Sequence, residues 1–136
     1  MIKGIAHVCT YSTDLVATER FYCSGLRFKK AFDFLKGGKV IGFYLEVAKG
    51  SYVEVFCNDK IDPNANGPIA HMCFEVDDID EIARHLKSQG YEVTKKMLGA
   101  DQSWQIWTAD PSGVKIEFHQ YTPKCSQLTG KDCILD

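Results

Sequence analysis

No apolar run in this 136-residue sequence approaches the roughly 18–20 residues that a helix needs to cross a bilayer. There is also little excess of either charge. Lys and Arg number 16 against 18 Asp and Glu, and no basic run offers a footprint for nucleic acid or anionic lipid. The opening MIKGIAHVC has neither the long apolar core nor the small-residue cleavage site of a secretory signal. A cytoplasmic protein with no nucleic-acid or membrane partner is expected. Cysteine is not scarce, at six, but the chain exceeds the size of disulfide scaffolds and reduced thiols are expected. The last four residues, CILD, imitate a prenylation box, yet a terminal Asp falls outside its usual choices. What remains is an ordinary globular composition, 45% hydrophobic and 25% charged, in a chain long enough for one domain with a real core.

The sequence is written twice. IAHVC at 5–9 returns as IAHMC at 69–73, and the same 64-residue offset pairs Asp14 with Asp78 and Arg20 with Arg84. Downstream, YVEVF and VKIEF pair Glu54 with Glu117 at an offset of 63. Each half opens with a strand (about 4–12 and 68–76) that runs into an aspartate able to cap a helix. In the second helix Asp78 and Glu81 have capping-box spacing, Ile79, Ile82, Ala83 and Leu86 form an apolar stripe, and Gly90 supplies the stop. The first helix is expected over about 14–25, burying Leu15, Thr18, Phe21 and Tyr22 and ending at Gly25. Three strands follow in each half: 27–35, 39–47 and 51–57, then 91–98, 103–110 and 113–121. The fold class is α+β, one domain over 1–121 built from two βαβββ modules (1–57 and 68–121, linker 58–67), with an aperiodic, loosely attached tail at 122–136.

Alternation along the strands separates two faces. Val53 and Val55, and Ile116 and Phe118, turn one way to cover the helices. His7 and Glu54, and His71 and Glu117, turn the other. Taken singly, each histidine reads better as a core imidazole bonded to main chain, and each glutamate as a solvated strand residue. Taken together, two imidazoles and two carboxylates suit a divalent cation such as Ni, Co, Zn, Fe or Mn. His119 shares a face with Glu117 and is either an extra ligand or acid/base group, or a strand-end residue in water. Trp104 and Trp107 face opposite ways. Phe32, Phe34, Phe43 and Tyr52 are candidate pocket residues that core packing explains equally well, and Cys9 and Cys73 are expected to pack.

The doubled module with IAHV, YVEVF, IAHM and DPSGVKIEF resembles the vicinal oxygen chelate superfamily: glyoxalase I, methylmalonyl-CoA epimerase, extradiol dioxygenases, and the fosfomycin and bleomycin resistance proteins. The resemblance covers about 3–121 and looks closest to bacterial glyoxalase I, lactoylglutathione lyase. It implies curled mixed sheets around a metal cup. The metal ligands it implies are His7, Glu54, His71 and Glu117, holding Ni, Co or Zn, with Mn or Fe also compatible. The implied activity is that of a lyase or isomerase acting on a small substrate with adjacent oxygens through an enediolate-like intermediate. In that scheme Glu117, ahead of Glu54, moves the proton. A homodimer is also implied. Where glutathione-dependent members carry an arginine, four residues after the first ligand histidine, this chain has Tyr11, which counts against a glutathione conjugate as substrate. The alternatives are a non-catalytic small-molecule binder, an Fe(II) extradiol dioxygenase, disfavoured by the fourth ligand Glu54, and an acyl-CoA epimerase.

Overall fold

Both repeated aspartates start helices. Asp78 caps α2 (Ile79–Ser88), its carboxylate accepting from the N–H groups of Asp80 and Glu81 at 3.0 and 2.9 Å. Those are two of the donors that a helix start leaves unpaired. Ile79 and Leu86 are fully buried, and Gly90 takes the left-handed φ of 87° that ends the helix. Asp14 caps α1 (Leu15–Arg20) by accepting from Ala17 N–H at 3.0 Å. Here the expected helix over 14–25 needs correction. After Arg20 the chain winds into a π-turn, Phe21–Gly25. The Phe28 N–H then reaches back to the Tyr22 carbonyl, and Arg27, rather than Gly25, takes the left-handed φ of 61°. The wider turn leaves both Phe21 and Tyr22 fully buried.

The computed structural model describes residues 1–65 and 67–135, so position 66 of the expected linker and position 136 of the tail lie outside the described residues. The chain divides into two compact units, 1–65 with 110–114, and 66–109 with 115–136. The first contains β1 (His7–Ser12), β2 (Lys29–Lys36), β3 (Lys39–Ala48) and β4 (Ser51–Cys57), in the order β1-β4-β3-β2. The second contains β5 (Met72–Glu75), β6 (Met97–Leu98), β7 (Trp104–Ala109) and β8 (Lys115–Gln120), in the order β5-β8-β7-β6. In each sheet the first strand runs parallel to the last and the other pairs are antiparallel. The architecture is α+β, two βαβββ-like modules with mixed four-stranded sheets.

Neither sheet is strongly curled, contrary to the expectation of curled sheets. Strong curvature needs bulges carried across neighbouring strands. In the first sheet register shifts are confined to β2–β3 and the end of β3–β4. The outer strand of the second sheet is only two residues long.

That short β6 is a second correction, since a strand was expected over 91–98. Backbone pairing there is sparse, with Thr94 N–H donating to the Trp107 carbonyl at 2.9 Å, and side chains supplement it. Thr94 Oγ1 accepts from Trp107 N–H at 2.8 Å, and Thr108 Oγ1 donates to the Glu92 carbonyl at 2.7 Å. The tail is a third correction. Cys125 is fully buried, and a short helix α3 (Ser126–Thr129) is bonded to the 101–103 loop through Ser126 N–H to Asp101 C=O at 2.8 Å. Among the described residues no helix is long and apolar enough to cross a membrane.

The core lies where the alternation puts it. Val53 and Val55 of β4, and Ile116 and Phe118 of β8, are buried, together with Phe43, Leu45 and Ile106. Phe43 is thereby removed from the pocket candidates, having no exposed surface. The DPSG stretch packs in the first unit. Asp110, 4% exposed, accepts from Tyr22 O–H at 2.9 Å and from the N–H groups of Ser112 and Val114 at 2.9 and 3.0 Å.

Candidate functional site

In the first unit β1 and β4 lie side by side with Cys9 opposite Glu54 and His7 opposite Tyr52. Two residues of stagger leave the His7 imidazole leaning toward the carboxylate, Nε2 to Oε1 at 3.8 Å. Tyr44, opposite Glu54 on β3, braces the ring from the other side. Its hydroxyl lies 3.2 Å from His7 Nδ1, and the two rings meet edge to face at 5.7 Å. Burial, with Glu54 alongside, pushes the Cys9 thiol up to about 11.

The second unit repeats this arrangement and tightens it. Cys73 and Trp107 flank Glu117 on β5 and β7. His71, just before β5, brings Nε2 to 3.1 Å from Glu117 Oε2, with Trp107 edge to face at 4.8 Å. The Trp107 indole N–H donates to Gln105 Oε1 at 2.8 Å. Trp104 turns the other way, under the Lys96 ammonium, as the strand alternation requires. The other oxygen of Glu117 is also occupied, since His119 Nε2 lies 2.7 Å from Oε1. Cys73, Glu117 and His119 each bring a potential ligand atom, all within 4.8 Å of one another. Burial, followed by the charge of Glu117, pushes the Cys73 thiol up to about 12. Without a cation both cysteines are thus neutral weak donors rather than thiolates.

The donors fit a cation to different degrees. Ligands in adjacent octahedral positions, each about 2.1 Å from the ion, sit roughly 3.0 Å apart. His71 and Glu117 meet that spacing at 3.1 Å, whereas His7 and Glu54, at 3.8 Å, must close by somewhat less than an ångström. Neutral imidazole and carboxylate suit a borderline divalent metal. The structure brings each histidine to the glutamate of its own half, with Glu117 almost enclosed (side chain 9% exposed) and Glu54 more open (19%).

The sequence model of the glyoxalase/bleomycin resistance protein/dioxygenase superfamily matches residues 4–118. The chain belongs to this superfamily. Among solved structures it is similar to the glyoxalase family protein from Enterococcus faecalis, at 25% identity over 87% of this chain and 98% of that one, with a TM-score of 0.75. A glyoxylase/bleomycin resistance protein/dioxygenase domain from Frankia sp. EAN1pec (18% identity, 90% and 100% covered, TM-score 0.75) shares the fold. So does the lactoylglutathione lyase from Agrobacterium tumefaciens (20%, 88% and 94%, TM-score 0.66). No curated protein matches the chain.

On the superfamily scaffold Tyr44 and Phe56, which sequence reasoning passed over, join the site, as does Trp107, one of the two tryptophans it had set on opposite faces. Tyr44 and Trp107 stand 63 apart, the offset of the two glutamates, so the repeat itself carried the signal. Phe56 and Tyr44 complete an aromatic face on the first sheet with Phe32, Phe34 and Tyr52. Stacked centroids there are 4.6 Å apart for Phe34–Phe56, 4.8 Å for Phe32–Tyr44 and 5.0 Å for Tyr44–Tyr52. Gly42 makes room for it. A Cβ there would strike the Val55 carbonyl oxygen and come 2.8 Å from the Phe56 ring. Gly42→Ala is therefore expected to cost about 1–3 kcal/mol in urea denaturation and to alter the near-UV circular dichroism of the stacked rings. Full stability with an unchanged spectrum would contradict this packing.

Proposed function

We propose that the chain is a divalent-metal-dependent lyase or isomerase of glyoxalase I type, with His7, Glu54, His71 and Glu117 as ligands. The observation that carries this reading is the recurrence of a His–Glu pair braced by an aromatic ring, at matching positions of both modules, with the second pair at ligand spacing. The substrate class is a small molecule with adjacent oxygens. Tyr11 at the arginine position and the open aromatic face of the first sheet favour an apolar or planar substituent over a glutathione carrier.

When bound, the cation supplies Lewis-acid polarisation of the substrate oxygens. The protein's own part is to move a proton next to them. Glu117 is engaged at both oxygens by His71 and His119, whereas Glu54 meets His7 only at 3.8 Å. That difference favours Glu54, the looser carboxylate, as general base on the substrate C–H and Glu117 as the fixed ligand, the reverse of the order that the resemblance implied.

A second reading, a non-catalytic binder of planar molecules, draws support from the aromatic face alone. Metal titration separates the two. Metal-stripped protein is expected to take up Ni(II), Co(II) or Zn(II) stoichiometrically, with a cobalt d–d absorption band characteristic of N/O ligation. No uptake of any of the three would leave only the binder.

A further inference from the structure

The two modules differ just beyond each glutamate. Two residues after Glu54 stands Phe56, and two residues after Glu117 stands His119. His119 does not stand alone. Its Nδ1 faces Asp101 Oδ2 at 3.9 Å, and Asp101 is fixed in turn. Gln127 Nε2 donates to Asp101 Oδ2 at 2.6 Å, Ser103 N–H donates to Oδ1 at 3.0 Å, and Ser126 N–H takes the Asp101 carbonyl at 2.8 Å. Ser103 Oγ completes the clasp by donating to Gln127 Oε1 at 3.1 Å. The C-terminal turn holding Ser126 and Gln127 is seated by the buried Cys125 and closed by Gly130 at φ 69°.

We infer that His119 is a positioning residue for Glu117, and that the C-terminal turn sets it through Asp101. With Oε1 taken by His119, Glu117 presents only Oε2 toward His71 and toward a cation, so it binds through one oxygen in a fixed direction. The 2.7 Å separation of His119 Nε2 from Oε1 is hydrogen-bond length. His119 engages the oxygen of Glu117 that His71 leaves, since His71 Nε2 lies 3.1 Å from Oε2. In this role His119 orients the ligand Glu117 from behind, on the oxygen turned away from His71. This deepens the four-ligand reading and rests on it.

The test is a Co(II) titration of the full chain, followed by visible absorption, for the wild type, His119→Phe, His119→Gln and Gln127→Ala. His119→Phe installs the residue of the first module. It is expected to weaken Co(II) binding about 10- to 100-fold and to shift the d–d bands as Glu117 turns to bind through both oxygens. His119→Gln keeps an N–H donor and should restore both readouts to near wild type. Gln127→Ala should move the spectrum in the same direction as His119→Phe, by less. A folded His119→Phe protein with unchanged affinity and spectrum overturns the inference. So does loss of all cobalt absorption in both His119 variants, the result expected if His119 were a ligand with Cys73 and Glu117. A wild type that takes up no cobalt defeats the four-ligand reading instead. Histidine nitrogen NMR then decides the positioning role. A hydrogen-bonded His119 Nε2–H that weakens in Gln127→Ala supports it, and its absence overturns it.

Discussion

Glu117→Gln is expected to lower Ni(II) or Co(II) affinity by more than about 100-fold, beyond the usual cost of losing an outer partner, while Glu54→Gln lowers it by about 10-fold or less. The asymmetry follows from what each carboxylate touches. Glu117 is nearly enclosed, with an imidazole on either oxygen at 3.1 and 2.7 Å. An amide there loses the charge and presents its NH₂ to one of the two imidazoles. Glu54 is more open and stands 3.8 Å from its histidine, so it holds a cation less firmly. Turnover, once a substrate is in hand, should separate the pair in the opposite sense: Glu54→Gln keeps its metal and loses activity. Isothermal titration of both variants reads the first part. A larger affinity loss for Glu54→Gln than for Glu117→Gln would reverse the assignment of fixed ligand and proton carrier.

Asp110→Ala is expected to be the most destabilising single change outside the site, by about 3–5 kcal/mol. Removing the carboxylate strands the Tyr22 hydroxyl and the Ser112 and Val114 N–H groups in a buried place. Each orphaned donor costs about 1–3 kcal/mol, not additively. For a chain of this size that is a melting-temperature drop of roughly 10–15 °C, readable by calorimetry. A drop under about 3 °C would mean the turn is not held this way. Burial is the largest influence on the Asp110 carboxyl and raises its pKa above the ordinary 3.8, against the lowering pull of its hydrogen-bond donors. The folded state thus binds the proton more readily than the unfolded chain. The stability tied to that proton is present below 3.8 and is lost as pH rises through the folded value. Asp110→Asn should remove this contribution, giving a stability–pH curve flatter than wild type above pH 3.8.

Much of the local structure was legible because it depends on near neighbours. Asp14 and Asp78 cap their helices with donors three residues or fewer away, and Gly90 ends α2 by its own backbone freedom. The alternation that buries Val53 and Val55 and turns Glu54 outward needs only the pleat of a strand. Where the reading failed, a distant group had decided. Arg27 replaced Gly25 at the end of the first helix because the chain widened into a π-turn around the buried Phe21 and Tyr22. Phe43 left the site face because β3 pairs with β4 so that Phe43 lies opposite the buried Val55. The strand expected over 91–98 shrank to Met97–Leu98, and before it threonine hydroxyls share the bonding of β7 with a backbone contact from Thr94 to Trp107.

The sequence by itself determined the duplicated α+β modules, their helix starts, and the strand face that carries one histidine and one glutamate in each half. Those follow from spacing and from contacts within a module. Only the tertiary structure decided that one carboxylate is clasped between two imidazoles and the other left loose, that aromatic rings brace both histidines, and that a tail without any periodic signal docks on the Asp101 loop. These depend on strand register and on side chains far apart in the chain, and hydrophobic periodicity carries no record of either.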